Sequence, residues 1–160
     1  MEPIKLNEMD SVRVIGVTVT DSLRNILEKG FVRDMHSTMR YRMTELESRT
    51  DDGVYLIQIY PKDEAFTPDI PYENIVGVSV TTDQHIPEGM IEYTIPAGRY
   101  AQFLHRGPES NIHQTYDGIT EWLRMQYCDP SREIDIEYWD DRYKGESEDS
   151  EIDLYVPLQK

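Results

Sequence analysis

The sequence predicts an α+β fold built from two similar β-α-β-β units. Segments rich in β-branched residues, which are typical of strands, alternate with segments in which apolar residues recur every three or four positions, which is typical of amphipathic helices. The same order of elements occurs twice within 160 residues, a length that suits one domain. We therefore expect a single domain over 1–160, with one pseudo-symmetric repeat at about 12–82 and the other at about 89–160.

The first unit begins with a strand and two helical segments. Asp21 or Ser22 can cap the first helix, and Gly30 interrupts the helical region. An apolar stripe follows at spacings of four, four and three residues, which favours a helix face packed on a core over a plastic binding surface. The stripe consists of Met35, Met39, Met43 and Leu46. The strands predicted for this unit lie at 12–19, 54–60 and 74–81.

The second unit repeats this order of elements. Its first extended stretch is interrupted at 96–98 by a Pro-Ala-Gly sequence, and its helix ends near Tyr127 because an Asp-Pro pair follows. The helix carries one apolar stripe, formed by Ile112, Tyr116, Ile119 and Leu123. The predicted strands lie at 90–95, 99–105, 134–139 and 151–158.

The net charge excludes several classes of function. The chain has 31 acidic and 16 basic residues, so its formal net charge is −15. The sequence contains no cluster of Lys and Arg, which direct nucleic-acid binding requires, whereas an acidic field favours cationic partners or simply keeps the protein soluble. No run approaches the roughly 20 apolar residues of a membrane span, and residues 1–10 lack the pattern of a signal peptide.

Motifs for metal, cofactor and nucleophilic chemistry are also missing from the sequence. It has no phosphate-binding loop, dinucleotide fingerprint or hydrolase elbow, so we expect no cofactor. The single cysteine, Cys128, favours a structural thiol over a nucleophile and fits a reducing cytoplasm. No metal site is expected either, because metal-ligand spacing is absent from the four histidines, which are His36, His85, His105 and His113.

The strand at 134–139 carries the most informative residue, Glu137. Because side chains alternate across a strand, Glu137 and Trp139 share one face, while Ile136 and its apolar neighbours share the other, which we expect to pack on the helices. The same rule predicts one concave surface, turned away from the helices, that holds Gln58, Tyr60, Glu137, Trp139 and Tyr155. Aromatic rings around a carboxylate suit an organic cation. The alternative is a solvated Glu beside a Trp on an exposed sheet face.

Several segments together resemble one family. The segment Ala97–Pro108 is similar to the P-x-G-x-Y-A-x-F-x-H-x-G-P pattern of the GyrI-like small-molecule-binding domain, the effector-binding domain of AraC-type regulators. The resemblance is strong from about residue 90 to 160 and weaker in the first half. The other segments that carry it are Tyr116, Glu121–Leu123, Ile136–Asp140, Glu151–Leu158 and Ile75–Val78.

This resemblance implies two β-α-β-β units around a pseudo-twofold axis with a ligand cleft between them. It implies that Glu137 meets cationic or hydrophobic ligands and that Trp122 lies close to the cleft. Trp139 replaces the family's usual Tyr, which keeps a stacking surface and loses a hydroxyl. In regulators this domain is fused to a helix-turn-helix, for which residues 1–11 are too few, so we expect a stand-alone domain.

We therefore expect a binding protein for hydrophobic, cationic small molecules that acts in drug or effector sensing or in sequestration. Its partner is such a small molecule, without direct binding to nucleic acid or membrane. An exposed sheet edge leaves a homodimer open. The expected ligand-binding residues are Glu137, Trp139, Trp122, Tyr60, Gln58, Tyr155 and Tyr116.

Two other functions stay open at this point. Some GyrI-like proteins hydrolyse electrophilic ring compounds, and Glu137 would then be the general base, with Tyr155 or Tyr60 as proton donor. A gyrase modulator or another protein-interaction role would use the acidic loop, whose alternative interpretation is a solvated hairpin loop. The acidic residues of that loop are Asp140, Asp141, Glu146, Glu148, Asp149 and Glu151.

Overall fold

The computed structural model describes residues 1–127 and 129–158, and it has the predicted α+β architecture. Cys128, for which we predicted a structural thiol, lies outside the described residues. The strands are β1 Lys5–Met9, β2 Val12–Ser22, β3 Val54–Ile59, β4 Pro71–Ser79, β5 Ile91–Ile95, β6 Gly98–Arg106, β7 Ile134–Trp139 and β8 Glu151–Pro157. The helices are α1 Leu23–Lys29, α2 Phe31–Arg42 and α3 Ile112–Tyr127.

The β-α-β-β order occurs twice, as predicted, but the sequence analysis missed one strand. β1 has the sequence KLNEM, in which polar and charged residues predominate and no β-branched residue occurs. It forms because its backbone pairs with β6, where Lys5 lies opposite Gln102 and Met9 lies opposite Gly98. Pairing across the two units therefore determines β1, rather than local propensity.

The eight strands form one antiparallel sheet in the order β1-β6-β8-β7-β3-β4-β2-β5. The β1–β6 ladder at one end of the sheet and the β2–β5 ladder at the other end have the same register. Met9 of β1 pairs with Gly98 of β6, and Val12, three residues after Met9, pairs with Ile95, three residues before Gly98. Only two residues separate β1 from β2, and only two separate β5 from β6. The sheet therefore curls until the β1–β6 and β2–β5 ladders follow one another as a single ladder, with β1 in line with β2 and β5 in line with β6.

The helices pack where their apolar stripes predicted. The Ser22 hydroxyl accepts a hydrogen bond from the Asn25 amide and caps α1, and Gly30, at a φ of 67°, separates α1 from α2. Met35 and Met39 of α2 are buried against the sheet, which confirms the predicted core role of the methionine stripe. On the same face of the sheet, α3 packs on β6 and β8. The contacts are made by Ile119 and Leu123 of α3 and by Phe103 and Leu154 of the strands.

The predicted orientation of β7 is wrong. In register, Glu137 lies between Leu56 of β3 and Leu154 of β8, and both leucines pack in the helix-side cores, so the Glu137 face is the helix face. Ile134, Ile136 and Tyr138 therefore point away from the helices. The prediction failed because β7 is buried on both faces: Ile136 packs with Ile57 and Ile75 in a third cluster on the far side. Alternation shows which residues share a face of a central strand and not which face meets the helices.

Close backbone packing of β2 against β4 gives a test of this register. Gly16 lies opposite Gly77, and a Cβ atom on Gly16 would overlap the carbonyl oxygen of Val76. We expect Gly16→Ala to lower the free energy of unfolding by about 2–3 kcal/mol, because backbone cannot move aside as a side chain can. Urea denaturation measures this change. Gly118→Ala is the control, since its Cβ would meet only the flexible Met1 side chain at 3.1 Å; equal losses in both variants would contradict the close approach.

Candidate functional site

A cleft of about 2690 Å³ lies on the helix side of the sheet. Residues of α1 and α2 form one wall, and residues of α3 form another. Strands β3, β4 and β7 contribute side chains to it, as does the loop between β3 and β4. The polar and aromatic side chains on which the site depends are His36, Gln58, Tyr60, Phe66, Tyr72, Asn74, Tyr116, Glu137, Trp139 and Tyr143.

Glu137 is buried in this cleft, with 4% of its surface exposed. The Tyr116 hydroxyl donates to its Oε2 atom at 2.5 Å, and the Trp139 indole N–H donates to its Oε1 atom at 2.8 Å. The Gln58 amide donates to the Tyr116 oxygen at 2.8 Å. The structure thus brings together four of the predicted site residues, Glu137, Trp139, Tyr116 and Gln58, in one hydrogen-bond network.

Among the described residues, the side chains that stabilise the charge of Glu137 are neutral hydrogen-bond donors. Within residues 1–127 and 129–158, no basic side chain forms a salt bridge with it. Burial raises the pKa of Glu137 to about 7, against the opposing effect of the hydrogen bonds from Tyr116 and Trp139, and the negative charges of Glu109 and Asp135 raise it further. At neutral pH the carboxyl group is therefore close to half ionised.

Asp135, two residues earlier on the same face of β7, has a different environment. Its Oδ1 atom accepts from Arg132 Nε at 2.5 Å, and its Oδ2 atom accepts from the Tyr60 hydroxyl at 2.5 Å. This acid has a cationic partner within the fold, so it is electrically balanced. Tyr60, which we predicted beside Glu137, lines the cleft but is held by Asp135.

Trp139 is a buried wall of the cleft rather than an open stacking surface. Only 6% of it is exposed, and its ring packs on His36 at a centroid distance of 4.3 Å and on Tyr143 at 4.5 Å. Burial lowers the pKa of His36 to about 4, so that ring is neutral at physiological pH. The sequence analysis missed both His36 and Tyr143, because neither belongs to a motif and each reaches Trp139 from a different element.

A second group of aromatic rings also lines the cleft; Phe66 is exposed, Tyr60 is half-buried and Tyr72 is buried. Tyr60, Phe66 and Tyr72 line the cleft and contact one another, with centroid distances of 4.9 Å, 5.0 Å and 5.7 Å. Phe66, in the loop between β3 and β4, is 39% exposed. An aromatic surface near a buried carboxylate is therefore present, but two of its three rings were not predicted.

Two predicted site residues lie elsewhere. Tyr155 pairs with Ile136 and packs in the cluster on the far side of the sheet, so it cannot share a surface with Glu137. Trp122 packs edge-on against Phe103 at a centroid distance of 5.6 Å, within the core between α3 and the sheet. Both placements follow from which face of the sheet each element covers, which the strand and helix periods do not determine.

Two features are absent from residues 1–127 and 129–158. Within these residues, no group of three or more His, Cys, Asp and Glu side chains is arranged to hold a metal ion. Nor does any helix there have the length and apolar character needed to cross a membrane.

Comparison with known proteins establishes the family. The profile of the GyrI-like small molecule binding domain matches residues 2–159. The chain belongs to the GyrI-like family. The transcriptional regulator BrlR of Pseudomonas aeruginosa is 31% identical over 93 residues, which are 57% of this chain and 34% of that regulator. The GyrI-like chain thus matches about a third of the length of that relative.

Solved structures share the fold. A putative bacterial transcription regulation protein from Staphylococcus aureus MU50 superposes with a TM-score of 0.73 at 14% identity, over 98% of this chain and 97% of that one. SAV2435 bound to tetraphenylphosphonium superposes with a TM-score of 0.73 at 13% identity, over 99% and 94% of the two chains. These matches confirm the GyrI-like fold that the sequence motifs indicated.

The elevated pKa of Glu137 predicts a pH dependence of stability. An unfolded Glu titrates near 4.5, so between pH 4.5 and 7 the folded chain holds this proton more tightly than the unfolded chain does. The free energy of unfolding therefore falls as pH rises through this range, by roughly 3 kcal/mol from this group. His36 does not titrate between pH 5 and 8, because its pKa is about 4.

Urea denaturation from pH 5 to 8 measures this effect. Glu137→Gln removes the titrating group, so we expect a shallower fall of stability with pH than in the wild type. Glu121→Gln is the matched control, because Glu121 is an exposed acid of α3 whose partner is Arg124. Parallel pH profiles for the wild type and Glu137→Gln would contradict the buried, titrating carboxyl group.

Proposed function

We propose that this GyrI-like chain binds hydrophobic organic cations in the cleft, with ionised Glu137 as the counter-charge. The observation that carries the proposal is that Glu137 is buried with two neutral hydrogen-bond donors and, among the described residues, no cationic partner. The fold balances its other deeply buried acids internally, as Arg132 does for Asp135 and Arg142 does for Asp153. Glu137 is the acid left for a ligand.

The energetics favour a cationic ligand. The free-energy cost of removing the Glu137 carboxylate from water arises when the protein folds. A cation that enters the cleft therefore gains the Coulomb attraction without adding that cost. Binding of a cation also favours the ionised form, which lowers the pKa of Glu137 from about 7. Below pH 7, binding is therefore coupled to release of the proton.

The walls of the cleft favour a ligand with apolar, aromatic surface. The Tyr60, Phe66 and Tyr72 rings can pack against such a ligand, and their electron-rich faces attract positive charge. Trp139 contributes through its N–H group, which together with the Tyr116 hydroxyl fixes the direction of the carboxylate. The binding of tetraphenylphosphonium to SAV2435 is consistent with this ligand class.

The alternative functions have less support. In a hydrolase mechanism Tyr155 could not serve as the proton donor, because it lies on the far side of the sheet. The other candidate donor, Tyr60, has its hydroxyl hydrogen-bonded to Asp135. The acidic loop is partly balanced by its own basic residues, since Arg142 pairs with Asp140 and Lys144 pairs with Asp149. Drug or effector sensing or sequestration therefore remains the role that we propose for the cleft.

Tetraphenylphosphonium tests the proposal directly. We expect saturable binding to the wild-type chain, measured by isothermal titration calorimetry at pH 8. Glu137→Gln should weaken binding about 10- to 100-fold, the effect of losing a charge-assisted partner in a buried site. Tetraphenylborate has the same shape and the opposite charge, and it should not bind.

The matched control variant for this titration is again Glu121→Gln, which removes one negative charge from the surface of α3. It should bind tetraphenylphosphonium as the wild type does. Equal binding of the two tetraphenyl ions, or an unchanged affinity in Glu137→Gln, would refute the proposal.

Tryptophan fluorescence locates the ligand within the chain. Trp139 donates to Glu137, whereas Trp122 packs in the core under α3, so a cation at Glu137 should change the emission of Trp139 alone. We expect Trp122→Phe to retain the fluorescence change on titration with tetraphenylphosphonium and Trp139→Phe to lose most of it. The opposite pattern would place the ligand beside Trp122, away from Glu137, and contradict the proposed site.

A further inference from the structure

Asn74 has an unpaired amide oxygen in the cleft. Asn74 is 1% exposed, and its Oδ1 atom has no hydrogen-bond partner in the described part of the chain. It lies in β4 opposite Gln58, on the face that carries Glu137. A buried, unpaired amide oxygen costs free energy of folding, and Asn is disfavoured in strands, so this position is unfavourable for folding alone.

The orientation of the Asn74 amide is defined by its other atom. Nδ2 points at the carbonyl oxygen of Tyr72 at 3.4 Å, where only a donor is tolerated. The unpaired atom is therefore the acceptor. Among its neighbours on the same face, Leu56 and Val76 carry no donor, and the Gln58 amide donates to the Tyr116 oxygen instead.

We infer that Asn74 is a second ligand-binding residue, and that the ligand is an elongated cation with a separate N–H or O–H donor that Asn74 Oδ1 accepts. This inference rests on the proposed function of the same cleft, because it assigns the charged part of the ligand to Glu137. It goes further by distinguishing cations that carry hydrogen-bond donors from fully alkylated ones.

The sheet geometry gives the length of such a ligand. Asn74 pairs with Gln58, which pairs with Asp135, and Glu137 lies two residues further along β7. Two strand spacings across the sheet and two residues along it place the backbones of Asn74 and Glu137 about 12 Å apart. A planar cation of three fused rings with end amino groups fits this separation once the side chains are included. Because the Asn74 amide is buried, a side chain of the cleft must shift to admit the donor.

Two phenothiazinium dyes form a matched pair of probes. Thionine and methylene blue share the same tricyclic cation, but the end amino groups carry hydrogens in thionine and are fully methylated in methylene blue. We expect wild-type protein to bind thionine on the order of tenfold more tightly than methylene blue, the effect of one hydrogen bond to an otherwise unpaired acceptor. Absorbance titration measures both affinities.

Asn74→Leu removes the acceptor and keeps the branched shape and the number of side-chain heavy atoms. It should weaken thionine binding about tenfold, leave methylene blue binding within about twofold, and melt at or above the wild-type temperature, because an unpaired polar atom is lost. Asn74→Ala also removes the acceptor, but with a small side chain, so the two dye titrations with this variant separate the loss of the acceptor from the effect of the leucine side chain. Equal effects on the two dyes, or no effect on either, would overturn the role of Asn74.

The outcomes separate this inference from the proposed function. If methylene blue binds and Glu137→Gln weakens that binding while Asn74→Leu and Asn74→Ala have no effect on thionine, only the inference fails. If neither dye nor tetraphenylphosphonium binds to the wild-type chain, the proposed function fails and the inference fails with it.

Discussion

The shared register of the β1–β6 and β2–β5 ladders is the constraint on which the rest of the structure depends. Because Met9 pairs with Gly98 and Val12 pairs with Ile95 in one continuous register, the two units are joined at both ends of the sheet. The sheet must curl to satisfy this pairing. The curl turns α2 and α3 toward the same face of β3 and β7, and the space left between the helices is the cleft.

The cleft differs from the surrounding core in how its polar groups are satisfied. Elsewhere in the fold, buried acids have basic partners: Arg132 pairs with Asp135 on this face, and Arg142 pairs with Asp153 on the other face. Glu137 has only hydroxyl and indole donors, and the Asn74 oxygen has no donor in the described part of the chain. Groups that cost stability and have no partner within the fold are characteristic of binding sites. These are the two residues on which the proposed binding of a cation and the proposed hydrogen bond to it depend.

Local patterns in the sequence predicted most of the fold. The β-branched runs, the methionine stripe and the Ser22 cap are confirmed, because each depends on residues close together in the chain. β1 was missed because its pairing partner lies about 90 residues away in β6 and its own composition is polar. Of the predicted site residues, Glu137, Trp139, Tyr116 and Gln58 meet in the structure, whereas Tyr155 and Trp122 pack elsewhere. His36 and Tyr143 had no motif that could have revealed them.

The sequence by itself determined the order of the elements apart from β1, the family, and the position of one carboxylate beside an aromatic residue on one face of a strand. Only the tertiary structure decided which face that was. A central strand of a curled sheet is covered on both sides, so alternation assigns residues to two groups without saying which group meets the helices. The direction of the curl, set by pairing between distant strands, turned Glu137 toward the helices and Tyr155 away from them. That choice buried Glu137 without a cationic partner among the described residues, the observation on which the proposed binding of cations depends, and burial raises its pKa to about 7.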